Sequence, residues 1–140
     1  MGVTIHFEGK LKSDAAYQKV MKAGEAFAKA NQMQYALFEN EQKTLLRVKN
    51  DQDWDYSGST KGIRITPSDN TDPLNLEFDT DNYIQEYCKT QFAEPEMHIL
   101  IIEFLKSIQD SFDLFKVNDE GEYWQTSNRQ TLVNHINTCF

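Results

Sequence analysis

Cysteine is scarce in this sequence. Of 140 residues only Cys88 and Cys139 are cysteines, and they lie far apart in the chain. Disulfide-stabilised domains and the common structural zinc sites need more cysteines at closer spacing. The scarcity excludes a disulfide scaffold and favours two free thiols in a reducing compartment, so we expect a cytoplasmic protein.

Long apolar runs are missing as well. No stretch approaches the ~20 apolar residues that a membrane-spanning helix needs. The first residues alternate apolar and polar side chains, with Val3, Ile5 and Phe7 as the apolar ones, instead of following the basic-then-apolar order of an export signal. We therefore expect neither export nor a membrane partner.

Basic side chains are outnumbered, with 14 Lys and Arg against 22 Asp and Glu and a net charge of −8. Such a chain disfavours non-specific attraction to nucleic acid, so no nucleic-acid partner is expected. The charge is also uneven, because residues 1–50 hold eight basic and five acidic side chains whereas residues 51–140 hold six and 17. The acidic portion predicts a basic partner.

Catalytic signatures are absent. The sequence has no Gly-rich phosphate loop, no nucleophile elbow and no recognisable Ser/His/Asp order. Glu94, Glu96 and His98 fall within one helical turn and could contribute to a metal site or to acid-base chemistry. Glutamates in a first helical turn are also favoured by the helix dipole alone, so the sequence predicts no metal and no cofactor there.

A second candidate ligand pair lies near the end of the chain. His135 and Cys139 are four residues apart, a spacing that can place both on one metal, with Cys88 or His6 as completing ligands. Alternatively Cys139 is a small apolar residue on the same helical stripe as Leu132 and Ile136. We favour this alternative, and a nucleophilic role for Cys88 has no support from its neighbours in the sequence.

What the chain does have is the apolar content of one folded domain, residues 1–140, with 39% hydrophobic and 12% aromatic residues. Alternation and turn residues predict an α+β fold with an antiparallel-rich, possibly mixed sheet and three helices, in the order β-α-β-β-β-β-(β)-α-β-β-α. The two longer helices are expected on one sheet face, which leaves the face that bears His6 and Glu8 open or partly covered by loops. The predicted strands are residues 3–11, 35–38, 44–48, 62–66, 74–78, 80–92 (strand or helix, with strand favoured), 115–118 and 122–125.

Two helices have clear sequence signals. Ser13 is a suitable N-cap for an amphipathic helix that ends near Asn31. Pro95 opens a second helix with a broad apolar stripe, and Ile99 and Ile102 lie away from that stripe. These isoleucines must be covered by a loop, a second subunit, a partner or the terminal helix, which is predicted after a Ser127 capping box.

Two segments combine aromatic and acidic residues. Trp54 and Tyr56 lie in a predicted irregular loop, residues 49–61, and Trp124 follows the acidic pair Glu120 and Glu122 in a predicted hairpin. Trp and Tyr are frequent interface anchors and carboxylates select basic partners, although large rings are also often simply buried.

These observations lead to two functional hypotheses. The leading one is a non-enzymatic protein-interaction module, comparable in size and charge to chaperones, immunity proteins and regulatory subunits, that binds another protein or itself through Trp54, Tyr56, Ile99, Ile102, Glu120, Glu122 and Trp124. The alternative is a small enzyme or ligand-binding domain that uses the open sheet face and the loop at residues 49–61, with Glu94, Glu96, His98 or the carboxylates of residues 119–122 as acids and bases.

Overall fold

Eight strands and four helices make up residues 3–139, the part of the chain that the computed structural model describes. The strands are β1 Thr4–Leu11, β2 Gln34–Leu45, β3 Val48–Lys49, β4 Gln52–Asp53, β5 Tyr56–Thr66, β6 Leu74–Phe78, β7 Tyr83–Lys89 and β8 Phe112–Asp119. The helices are α1 Asp14–Ala30, α2 Pro95–Ile108, α3 Tyr123–Thr126 and α4 Arg129–Thr138, with a short 3-10 turn, Gln109–Ser111, after α2.

The strands form two three-stranded sheets and one small hairpin. One sheet has the order β7-β1-β8, the other has the order β2-β5-β6, and β3 pairs only with β4. Every pairing in residues 3–139 is antiparallel. The predicted α+β class with antiparallel pairing and two longer helices is confirmed.

Strands β6 and β7 are consecutive in the chain but belong to different sheets. At one end of this pair the N–H of Asp79 donates to the carbonyl of Tyr83 at 3.1 Å, and at the other end the N–H of Asp72 donates to the carbonyl of Lys89, also at 3.1 Å. Between these bonds the two strands form no ladder. We term this opening the breach, and it holds Asn75 and Glu77 of β6 and Glu86 of β7.

Helix α1 covers the β2-β5-β6 sheet. The side chain of Ser13 accepts a hydrogen bond from the N–H of Ala16 at 3.1 Å, which confirms the predicted N-cap. Gly24 faces the sheet so closely that an added Cβ would lie 3.2 Å from Cδ1 of Ile63. The absence of a side chain at Gly24 therefore sets how near the helix lies to β5.

Helix α2 is the central helix of the core. Its Phe104 ring stacks on the Phe27 ring of α1, with 4.5 Å between ring centroids. Ile102 is fully buried in the main core, and Ile99 packs against a second small cluster of which Leu132 and Ile136 of α4 are members. Both isoleucines are therefore covered by residues of the same chain, and Ile102 has no exposed surface with which to bind a partner.

Three predicted elements differ from the structure. Residues 35–48 do not form a hairpin, because β2 runs through the polar segment with a register shift between Asn40 and Lys43 and pairs with β5 along both halves. Residues 49–61 are not an irregular loop but contain a tight hairpin, in which Asn50 and Asp51 adopt positive φ as hairpin turns require, and the start of β5. The prediction for residues 80–92 was correct, since β7 is a strand.

The third difference lies after β8. Residues 122–125 are not a strand, because Glu122 has a left-handed backbone with φ 58° and the chain then turns into α3. Ser127 also has positive φ, at 51°, and so cannot cap the terminal helix. The N-cap is Asn128, whose side chain accepts the N–H of Thr131 at 3.0 Å.

The burial of the two isoleucines gives a direct test of the fold. We expect Ile102→Ala to lower the free energy of unfolding by about 2–4 kcal/mol, because it leaves a cavity in the core. Ile99→Ala should lower it by about 1 kcal/mol, because this side chain is only half-buried. Urea denaturation measures both. The assignment of Ile102 to the core would be contradicted if both alanine variants lost equally little unfolding free energy and the double variant Ile99→Glu plus Ile102→Glu stayed folded.

Candidate functional site

The outer face of the β7-β1-β8 sheet is the face that lies away from the core. In its register His6 lies beside Tyr87 and Asn118, and Glu8 lies beside Gln85 and Lys116. His6 and Glu8 are partly exposed, whereas their neighbours Ile5 and Phe7 are buried on the other side. Two clefts open on this face, one at each side of the His6–Tyr87 pair.

The larger cleft, of about 760 Å³, opens over the breach and is termed the breach cleft. One wall is the outer face of the sheet, a second is the chain from Lys43 to Val48, and the breach itself lies at the base. Its lining residues are His6, Phe7, Glu8, Lys43, Thr44, Leu45, Leu46, Val48, Asn75, Glu77, Gln85, Glu86, Tyr87, Lys116, Val117 and Asn118.

Two carboxylates in the breach have opposite electrostatic environments. Glu77 is buried, and burial alone would raise its pKa. Hydrogen bonds from Lys43 at 2.8 Å, Thr60 at 2.7 Å and Asn75 at 3.2 Å outweigh that effect and lower the pKa of Glu77. Glu77 is therefore held as a carboxylate.

For Glu86 the compensating interactions, with Lys43, Asn75 and Arg47, are weaker than the effect of burial. Burial, reinforced by the negative charge of Glu77, raises the pKa of the Glu86 carboxyl to about 7. Its carboxyl accepts a hydrogen bond from the Asn75 amide at 3.4 Å, and none of the salt bridges formed by residues 3–139 includes it. Because the pKa in the folded state lies above that of an unfolded chain, the group favours folding at low pH and loses this contribution as the pH rises through about 7.

One wall of the breach cleft is held by Gln85. Its side chain accepts the N–H of Val48 at 3.0 Å and donates to the carbonyl of Val48 at 2.9 Å, as a neighbouring strand would. The same amide donates to Glu8 at 3.3 Å, and the hydroxyl of Tyr83 donates to Glu8 as well. Burial and the nearby Glu8 raise the pKa of Tyr83 to about 12, so this hydroxyl remains a donor.

The rim of the breach cleft is apolar and exposed. Leu46 is 81% exposed, Tyr87 62% and Val48 54%, and all three line this cleft. Exposed apolar groups gathered around one cleft are a feature of binding surfaces, whereas single exposed apolar residues are common everywhere.

Trp54 and Tyr56, both predicted to bind a partner, contact the buried Arg47, and Trp54 is also 39% exposed. The guanidinium of Arg47 lies 5.8 Å from the Trp54 ring centroid and 5.4 Å from that of Tyr56, and it forms an ion pair with Asp79 at 2.8 Å. Trp54 also meets Tyr83 edge to face. These contacts anchor the β3-β4 hairpin, and Arg47 is a residue that the sequence analysis missed.

All three histidines of the chain are paired with the carboxylates of one turn, residues 119–122. His98 pairs with Asp119 at 2.9 Å, His6 with Glu120 at 3.0 Å, and His135 with Glu122 at 2.5 Å. The smaller cleft, of about 540 Å³, lies beside this turn and is lined by His6, Glu120, His135 and Cys139 among others. Trp124, half-buried, packs on Phe115 at the side of the turn.

The Asp119 pair is the buried one of the three. Asp119 also accepts the N–H groups of Gly121 at 2.8 Å and Trp124 at 2.9 Å, while the second ring nitrogen of His98 lies 2.5 Å from the Thr90 hydroxyl. Burial opposes the charge of Asp119, but the hydrogen bond from His98 and its neighbours keep the pKa of this carboxyl below its usual value. The order hydroxyl, imidazole, carboxylate matches a nucleophilic relay, yet the buried groups cannot meet a substrate.

The other candidate ligands are not arranged as a metal site in residues 3–139. Glu96 is exposed and pairs with Arg129 at 2.7 Å, whereas His98 is buried in the core. The candidate ligands Glu96 and His98 therefore lie in different environments and do not face one site. The Cys139 thiol donates to the carbonyl of His135 at 3.4 Å. Among residues 3–139 no three His, Cys, Asp or Glu side chains are arranged to hold a metal ion.

Cys88 is not placed for nucleophilic chemistry. It is buried, and its thiol donates to the carbonyl of Asp72 at 3.4 Å. Burial, together with the charge of Asp72, raises the pKa of the thiol to about 12. The reactive form, the thiolate, is therefore scarce near neutral pH.

Comparison of the chain with protein-family models, with curated proteins and with solved structures finds no match. None of the helices in residues 3–139 combines the length and apolar character needed to cross a membrane.

The buried Asp119 network predicts a large effect from one substitution. Asp119→Ala should lower the free energy of unfolding by about 3 kcal/mol or more, because it removes the acceptor for one imidazole and two backbone N–H groups inside the core. The exposed Asp113 of the same strand is the control, and Asp113→Ala should change stability by less than about 0.5 kcal/mol. Similar stabilities of the two variants in thermal and urea unfolding would contradict this role.

Proposed function

We propose that this protein is a non-enzymatic protein-interaction module that docks another protein in the breach cleft. The observation that carries the proposal is the coincidence of three exposed apolar side chains, Leu46, Val48 and Tyr87, with a cleft whose base contains carboxylates. Apolar anchors surrounded by polar groups are the usual composition of protein interfaces.

The rigidity of the walls supports this proposal. Gln85 binds the backbone of Val48 in both directions, and Arg47 with its aromatic neighbours holds the hairpin that follows. A wall held in place loses little conformational freedom when a partner binds, which favours affinity. In this proposal Trp54 and Tyr56 support the site from behind instead of touching the partner.

The acidic turn at residues 119–122 has a secondary part in the proposal. Glu120 and Glu122 are partly exposed beside the smaller cleft, on the same outer face. They extend the negative field of the surface toward a basic partner and affect association rate more than affinity. The two cysteines remain free thiols, which fits the cytoplasm as the proposed location.

Acid-base catalysis in the same cleft is the second candidate. It is favoured by the divergent environments of Glu77 and Glu86, since a carboxylate and a neighbouring protonated carboxyl can act as base and acid. The two candidates differ in turnover. A catalyst would convert a substrate and lose this conversion in Glu86→Gln, whereas a docking module binds its partner unchanged.

The docking proposal is tested with two matched double variants. Leu46→Gln plus Tyr87→Gln changes the rim, and Leu37→Gln plus Leu114→Gln changes exposed leucines that do not line the cleft, at 53% and 47% exposure. Immobilised on beads, the rim variant should retain at least about tenfold less of the specific partner from extracts of the source cells, because central apolar anchors dominate binding energy. The control should match the wild type.

Equal retention by the wild type and both double variants would contradict docking at the breach cleft. Circular dichroism of all three proteins shows whether each is folded. Because all the substituted side chains are exposed, we expect unchanged spectra.

A further inference from the structure

The carboxylates that line the breach cleft differ in the ion-pair and hydrogen-bond partners that they have. Glu77 is paired with Lys43, both of its oxygens lying within 2.9 Å of the ammonium nitrogen. Glu8 accepts hydrogen bonds from Tyr83 and Gln85. Glu86 has the Asn75 amide and no cation in residues 3–139. Of the carboxylates that line this cleft, Glu86 is the one left with neither a cation nor a set of strong donors.

Resting on the proposed docking function, we propose that the partner inserts a lysine or arginine side chain into the breach cleft and places its charged head on Glu86. The shape of the cleft suits such a side chain. Its aliphatic stem would lie against the apolar rim of Leu46, Val48 and Tyr87, and its head would reach the carboxylates at the base. A half-buried carboxylate without a cation gains more from a charge-assisted hydrogen bond than an exposed one does.

An anionic or purely apolar side chain fits less well. The ammonium of Lys43 is already engaged by Glu77, and Lys116, the other lysine that lines the cleft, is exposed to solvent. An anion would therefore meet the Glu77 and Glu86 carboxyls at the base without a free buried cation. An apolar group would bury Glu86 further and leave its charge uncompensated.

The proposal carries a pH dependence. The groups that influence the ionisation of Glu86 are Glu77 and Asn75 of β6, Lys43 of β2 and Arg47. His6 and Glu8 of β1 and Lys116 of β8 line the same cleft. An arriving cation favours the ionised form of Glu86, so binding releases the proton that this carboxyl holds below about pH 7. Affinity for a basic side chain should therefore rise between pH 5 and pH 8, and Glu86→Gln should remove most of this rise.

Three probes test the proposal by NMR titration of the isotope-labelled full chain. They are the blocked peptide acetyl-Leu-Lys-Leu-amide, the same peptide with norleucine in place of lysine, and butylammonium alone. At pH 8 the lysine peptide should bind about tenfold more tightly than the norleucine peptide, with shifts at Glu86, Leu46 and Tyr87, because one charge-assisted hydrogen bond is worth this factor. Glu86→Gln should abolish the difference, and the exposed-site control Glu103→Gln should retain it.

Several results would overturn the proposal. These are equal binding of the two peptides, no binding of either, or a preference for lysine that survives Glu86→Gln. Butylammonium binding as tightly as the lysine peptide would indicate a free-amine site instead of a docked protein segment, which also overturns it. If the rim double variant loses the cellular partner but the lysine peptide shows no preference, the docking function stands and the inference about its occupant fails.

Discussion

The breach between β6 and β7 is the constraint on which the candidate site depends. The two sheets share one core, and the consecutive strands that connect them are hydrogen-bonded at both ends of their contact but not in the middle. Polar side chains occupy this gap, where backbone groups would otherwise pair. A carboxyl in such a place is partly removed from water without a fixed counter-charge, and this is why the cleft has a distinct electrostatic character.

A second network lies at the end of β8, beside the smaller cleft. Asp119 links the end of β8 to α2 through His98 and to the start of α3 through the N–H of Trp124. His98 in turn contacts Thr90, the residue that follows β7. Because these groups are buried and mutually satisfied, the network stabilises the junction of four elements. The outer pairs of the same turn, Glu120 with His6 and Glu122 with His135, remain accessible at the surface.

Local patterns predicted much of the fold. The Ser13 cap, Pro95 at the start of α2 and the alternation from Val3 to Leu11 are signals that neighbouring residues carry, and each of those elements formed. The polar segment around residue 41 was misinterpreted as a turn, because its place in β2 depends on pairing with β5, about 20 residues away. The position of Ile102 depended likewise on how the helices pack together.

The candidate site was less predictable from the sequence, for the same physical reason. Glu77 and Glu86 come from different strands, and only the register of both sheets brings them to one Asn75 amide. Trp54 and Tyr56 have the composition of interface anchors, but the sequence does not show that both rings contact Arg47 or that Trp54 meets the distant Tyr83. In β6 the residues Asn75 and Glu77 hold the polar positions of an alternating strand, so the sequence carries no signal that Glu77 is buried.

The ionisation of Glu86 tests the central claim most directly. A carbon-13 NMR titration of its side-chain carboxyl in the folded protein measures the pKa of this one group. The account predicts a midpoint near pH 7, with the Glu77 carboxyl titrating below the usual range of glutamate. A midpoint for Glu86 near the usual glutamate value of about 4.3 would show that the breach is hydrated or already compensated, and it would contradict the account.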